Sequence, residues 1–195
     1  MDRTRLILAS RSPRRKTLLG GTGVPFDVIE SGIDEMRGAN EPGSAYALRM
    51  AREKALAVSA RCPEALVLGA DTIVICGEEI LVKPDNPAEA RRMLATLSGK
   101  THLVITAYAL ASAGVVLTAE PVTSKVTFNP LSDDQINEYV ATGEPLDKAG
   151  AYGIQGSGGD FIMKVEGSRE NVMGLPVREV LSALARFGVT PEPDR

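Results

Sequence analysis

Ala65-Leu66-Val67-Leu68-Gly69-Ala70-Asp71-Thr72-Ile73-Val74-Ile75-Cys76 is apolar at nearly every position and rich in Val, Ile and Leu. A half-exposed strand would alternate apolar and polar residues. An unbroken run of this kind is the pattern of a central strand buried on both faces. One residue breaks the pattern. Asp71 places a carboxylate inside the run, where burial is costly unless it meets partners or a metal. It is therefore read either as a metal ligand or general base, or as a strand-end carboxylate that caps a loop.

The flanking sequence predicts helices and strands in alternation. Leu6 to Ala9 reads as a first buried strand. Ser12 then makes a good N-cap and Pro13 suits the first helical position, so a helix is expected to about Gly20. Residues 26–29 alternate like a second strand, and 32–42 read as a polar loop. Ser44 is expected to cap a longer helix carrying Ala47, Leu48, Ala51, Ala55 and Val58 at helical spacing. Gly77-Glu78-Glu79 predicts a hairpin turn into residues 80–82. Asn86-Pro87-Ala88-Glu89 opens a helix through Leu97. Strands are expected at about 101–111 and 115–128, joined around Ala113-Gly114. Ser132 and Gln135 form a capping box for a helix to about Thr142. A glycine-rich stretch, 150–159, precedes a strand at 161–165. The last helix runs from near Pro176 to Gly188, and the tail TPEPDR is expected to fray. With at least two hairpins among the interleaved elements, a mixed-sheet α/β protein fits better than a purely parallel one.

The chain has 195 residues and a net charge of −3, which argues against a general nucleic-acid binder. A basic cluster near the N-terminus favours a small anionic ligand instead. Cys62 and Cys76 form no CxxC pair and His102 is the one histidine, so zinc-site spacing is absent and a reduced, cytoplasmic chain is the plain reading. No apolar run reaches the roughly 18 residues that a membrane span needs.

The cluster is Ser10-Arg11-Ser12-Pro13-Arg14-Arg15. Arginines in the first turn of a helix stand at the wrong end of its macrodipole, a conflict that a bound anion removes. Helix-start N–H groups, serine hydroxyls and an arginine fork would hold phosphate oxygens together. A solvated basic turn is the bland alternative. Other candidates are weaker alone. Glu35 lies in a polar loop, Lys54 shares its helix with other charges, and Lys83 precedes Pro84 at a strand end. Gln155, in the glycine-rich run, either reads a base edge or is merely exposed in a turn. His102 reads as a satisfied structural histidine.

Several segments resemble one known family in order along the chain: LILASRSPRRKTLL, GIDE, AREKA, VLGADTIV with the following KP, LSGKTH, and PLDKAGAYGIQG. They look like the Maf family, from residue 6 to about residue 176. The resemblance implies a single domain over 1–195 with two lobes around a cleft, similar to the inosine triphosphate pyrophosphatases, and a homodimer. It implies hydrolysis of a nucleoside triphosphate between the α and β phosphates with magnesium or manganese. Ser10, Arg14 and Arg15 match the family's phosphate-binding loop. Glu35, Lys54, Asp71 and Lys83 match its acidic and basic active-site positions, with Asp71 as proton acceptor; joining this to the residue reading, Asp71 and Glu35 are the expected metal ligands. Arg14, Thr72 and Gln155 match positions that separate a dTTP and UTP branch from a 7-methyl-GTP branch. GAYGIQG and Ala107 resemble the pyrimidine branch. A modified nucleotide as substrate, or a non-catalytic nucleotide-binding regulator of septum formation, are the alternatives.

Overall fold

The computed structural model describes residues 4–192. Its elements in chain order are β1 (Leu6–Leu8), α1 (Pro13–Gly20), β2 (Asp27–Val28), α2 (Gly43–Ser59), β3 (Leu66–Cys76), β4 (Glu79–Leu81), α3 (Pro87–Leu97), β5 (Thr101–Ser112), β6 (Val115–Phe128), α4 (Asp133–Ala141), β7 (Ile162–Glu166), α5 (Arg169–Met173) and α6 (Val177–Ala185). The hydrogen-bonded strand order is β2-β1-β3-β5-β6-β7, with β4 on β3. β1 runs parallel to both β2 and β3, whereas β3–β4 and β6–β7 are antiparallel. The fold is mixed α/β, as the interleaved pattern predicts.

The chain divides into two compact units. The first holds the residues up to Asp71, then Thr106–Val122 and the chain from Gly174 onward. Its core gathers Leu6, Leu8, Leu19, Leu66, Leu68, Tyr108, Leu110, Val180 and Leu184. The second holds Thr72–Ile105 and Thr123–Met173. Its core includes Val74, Leu81, Met93, Leu94, Val126, Phe128, Tyr139 and Tyr152.

Local signals explain most element ends. Ser12 accepts a hydrogen bond from the Arg15 N–H, Asn86 from Glu89, and Ser132 from Gln135 in a full capping box. Ala113 and Gly114 both take positive φ, 48° and 76°, the geometry of a two-residue hairpin turn. Three expectations need correction, and two features go beyond them. Ser44 is not a cap: α2 starts at Gly43 behind Pro42, with no side-chain cap bond. The glycine-rich stretch is a set of 3-10 turns, and α5 lies where no helix is expected. α6 stops at Ala185, short of Gly188. Fraying does not describe the tail as far as Glu192, whose N–H bonds to the Gly23 carbonyl; residues 193–195 lie outside the described ones.

One packing contact fixes how closely helix α2 approaches strand β3. A side chain at Gly69 of β3 would collide with the Ala51 carbonyl and stand 2.7 Å from the Ala55 nitrogen. Strand and helix backbones therefore touch here, at Ala51 and Ala55 on the helix side. Gly69 and Asp71, two apart on a strand, share a face. The face of α2 that carries Ala51 and Ala55 also carries Lys54.

In the second unit His102 is buried, with Nε2 and the Tyr152 hydroxyl 2.8 Å apart and its ring edge-on to Phe128 at 5.0 Å. The histidine is buried and packed as expected but only half satisfied, since its Nδ1 is buried without a hydrogen-bond partner.

Two outcomes are expected. Gly69→Ala should cost about 3 kcal/mol by overpacking backbone against backbone, lowering Tm by roughly 6–12 °C in thermal unfolding. Burial holds the His102 imidazole at about 4, below its ordinary 6.5. The unfolded chain thus takes up that proton first as the medium is acidified. Stability is lost from about pH 6.5 down to about pH 4 and levels off below. His102→Gln should flatten that part of the Tm profile by roughly 7–14 °C.

Candidate active site

The first unit brings three of the sequence candidates into one cluster. Lys54 Nζ lies 2.7 Å from Asp71 Oδ1 and 2.9 Å from Glu35 Oε1. The lysine and aspartate side chains are only 6% and 8% exposed, while Glu35 keeps 35% of its surface. Lys54 is therefore no surface charge, and Asp71 has the partner that its position demands. Burying an ammonium and a carboxylate is tolerable when each is paired and hydrogen-bonded.

Glu35 reaches the cluster because α2 ties its loop down. The Tyr46 hydroxyl donates to the Glu35 carbonyl at 3.0 Å, and Arg49 donates to the Met36 carbonyl at 2.9 Å. Arg49 is itself held by Glu41 through two bonds of 2.7 Å and by Glu53 at 3.1 Å. Its guanidinium also lies over the Tyr46 ring, 5.5 Å from the centroid. These bonds hold the Glu41 carboxyl down at about 2. Burial pushes the Tyr46 phenol up to about 12, and the nearby negative charges of Asp71 and Glu35 push the same way.

The N-terminus of α1 faces the same charges. Arg15 Nε donates to the Gly174 carbonyl at 2.8 Å, and its Nη1 stands 3.4 Å from Ser10 Oγ. Ser10 Oγ also accepts from the Ser12 N–H at 3.2 Å. Burial lowers the Arg15 pKa, opposed by the charges of Asp71 and Glu35; the neighbouring Arg14 lowers it further. Arg14 is half-buried. Positive side chains, a helix start and two carboxylates thus share one electrostatic neighbourhood. Such a set can hold an anion and place a base beside it.

Thr72, Lys83 and Gln155 belong to the second unit. Thr72 is half-buried on β3; Lys83 and Gln155 are exposed. The Val82 carbonyl accepts the Gly150 N–H at 3.2 Å, tying the strand end before Lys83 to the glycine turn. A side chain at Gly150 would stand 2.8 Å from a Val74 methyl, so the turn rests directly on β3.

A divalent cation suits the donors present. Asp71 and Glu35 are hard oxygen ligands, and magnesium commonly takes one or two carboxylates and completes its shell from substrate phosphates and water. Among the described residues no group of three His, Cys, Asp or Glu could cage a metal alone. Cys62 and Cys76 are free thiols. No helix among the described residues is long and apolar enough to cross a membrane.

Gly69, Tyr46 and Arg49 are the positioning residues that sequence reading missed. A glycine inside a β-branched strand was the available signal for the first. Nothing local marks the other two.

The profile of the Maf-like protein family matches residues 5–187. A protein named dTTP/UTP pyrophosphatase from Escherichia coli O157:H7 is 51% identical over 190 residues, 97% of this chain and 96% of that one. One of the same name from Moorella thermoacetica is 51% identical over 189 residues, 95% and 96% of the two chains. A third, from Salmonella typhimurium, is 52% identical over 185 residues, 94% and 93%. Among solved structures, a nucleoside-triphosphatase / dITP/XTP pyrophosphatase from Mycobacterium abscessus aligns with TM-score 0.40 at 17% identity, covering 95% of this chain and 94% of that one. A HAM1 protein from Coxiella burnetii aligns with TM-score 0.40 at 14% identity over 64% and 73%.

Lys54→Met should leave two carboxylates without their shared cation and cost about 3–5 kcal/mol in urea unfolding. Asp71→Asn should cost less, because Lys54 keeps Glu35. Equal losses would mean that Glu35 contributes nothing to holding Lys54.

Proposed function

The chain belongs to the Maf family, and we propose that it hydrolyses dTTP and UTP to the nucleoside monophosphate and pyrophosphate with the help of magnesium or manganese. It is a nucleoside triphosphate pyrophosphatase. The observation that supports the proposed chemistry is the buried Lys54 ammonium shared by Asp71 and Glu35, with Arg15 in the same field.

Asp71 and Glu35 would hold the cation. When bound, it supplies positive charge against the phosphate oxygens. The chain's own residues do the rest. Ser10, Arg14, Arg15 and the α1 N–H groups bind phosphate oxygens, and Lys83 adds charge neutralisation. Asp71 accepts a proton from the attacking water as its oxygen bonds to the α-phosphorus. The bond from that phosphorus to the α–β bridging oxygen breaks, and pyrophosphate carries the electron pair away. Lys54 keeps the Asp71 carboxylate oriented and Glu35 beside it. Placement and charge stabilisation are most of what such a reaction asks of a protein. Gln155 reads the base edge through its amide, and Thr72 and Arg14 contribute to the choice of nucleotide. The reading carries with it a homodimeric, cytoplasmic enzyme acting on free nucleotides rather than nucleic acid.

Pyrophosphate release from dTTP, UTP, CTP, GTP, ATP and 7-methyl-GTP, with and without magnesium or manganese, tests this directly. Metal-dependent release peaking at dTTP and UTP is expected. A peak at 7-methyl-GTP would overturn the specificity, and nucleotide binding without release would overturn the reaction. Asp71→Asn should lower kcat roughly 10²–10⁴-fold in a folded protein. Near-normal turnover would remove Asp71 as the proton acceptor.

A further inference from the structure

Gln155 lies in a turn at residues 154–155 that no strand or regular helix holds. Glu144 holds it instead. Its Oε1 accepts from the Tyr139 hydroxyl at 2.9 Å, and its Oε2 accepts from the Ser157 N–H at 3.3 Å. The Tyr139 oxygen in turn accepts from the Gly153 N–H at 3.1 Å. Gly153 and Ser157 stand two residues before and two residues after Gln155. A single carboxylate therefore grips both sides of the turn, one directly and one through a phenol.

The chemistry gives this relay one direction. An ionised carboxylate only accepts, so the Tyr139 O–H must point at Glu144 and present its lone pair to Gly153. Burial, and then the hydrogen bond to Glu144, push the phenol pKa up, so the donating proton stays in place. The glycines make room. A side chain at Gly156 would collide with the Glu144 carboxylate, and one at Gly158 would stand 2.6 Å from the Tyr139 oxygen. Lys148 closes the back of the arrangement, donating to the Glu144 carbonyl at 2.5 Å and to Asp147 at 2.7 Å.

We propose that Glu144 is the positioning residue for base recognition, fixing through Tyr139 and Ser157 the turn from which Gln155 addresses the nucleobase. The proposal rests on the assignment of Gln155 to the base. Glu144 touches no reacting atom. Its contribution is to remove the freedom of a glycine-rich turn before the nucleotide arrives, which is worth most for discrimination between bases and least for the chemical step.

Glu144→Gln is the informative variant because it keeps the shape and cannot keep the bonds. If its amide oxygen faces Ser157, its NH2 faces Tyr139 and forces the phenol proton toward the Gly153 N–H. If the amide is flipped, NH2 meets the Ser157 N–H. Either way one donor meets another. Tyr139→Phe, which removes only the relay oxygen, is the second variant should Glu144→Gln lose its fold. Full-length wild type, both variants, Gln155→Ala and the double variant Glu144→Gln/Gln155→Ala are compared by kcat and KM on dTTP and CTP, with far-UV circular dichroism as a check of fold. Glu144→Gln is expected to raise KM for dTTP about tenfold with kcat within about twofold, and to move the dTTP-to-CTP ratio of kcat/KM toward that of Gln155→Ala. Adding it to Gln155→Ala should move the ratio no further. A uniform loss of kcat on both nucleotides with the ratio unchanged, while Gln155→Ala does change it, overturns the role of Glu144 alone. An unchanged ratio in Gln155→Ala overturns the base-reading assignment and this inference with it.

Discussion

Gly69 has no side chain, and helix α2 lies against strand β3 because of it. Backbone contact at that point puts the Lys54 ammonium within hydrogen-bond distance of Asp71, two residues further along the same strand face. The rest of the charged cluster depends on this approach. With the lysine buried, one positive charge has two carboxylates to satisfy, and Glu35 must be brought from a loop to share it. That loop has no strand or helix of its own. Tyr46 and Arg49, both from α2, bond its carbonyls instead. One helix thus supplies the cation and the clamps that deliver its second anion.

The charge balance of this neighbourhood explains a local conflict in the chain. Arg14 and Arg15 open α1, where the macrodipole disfavours positive charge. The Asp71 and Glu35 charges favour the charged form of Arg15 in the free protein, while burial still holds its pKa below the ordinary value. On the proposed reading, a bound anion makes the arrangement more favourable than it is in the free protein, with the binding groups in place before the ligand arrives.

The second unit uses a carboxylate differently. Glu144 binds one backbone N–H and a phenol rather than a cation, and the turn beside it carries glycines where a side chain would meet the Glu144 carboxylate or the Tyr139 oxygen. His102 shows a third use of burial. A neutral imidazole edge-on to Phe128 and Tyr152 serves packing, and its lowered pKa is the cost of leaving water rather than a sign of chemistry.

What the sequence determined by itself were features written in short range. The caps at Ser12, Asn86 and Ser132 involve residues three apart, the hairpin turn at Ala113-Gly114 two adjacent ones, and β3 a continuous apolar run. The burial of Asp71 was legible for the same reason, because the strand around it leaves a carboxylate no water. The order of short segments along the chain carried the family. Tertiary structure alone decided the rest. Lys54 looks like one charge among several on its helix until α2 meets Gly69. Glu35 looks solvated until Tyr46 and Arg49 tie its loop, and Glu144 looks like any acid after a helix until the turn at 153–157 folds over it. In each case the partner lies elsewhere along the chain. The free energy of a buried charge is set by what surrounds it in space, which a local pattern of residue types does not contain.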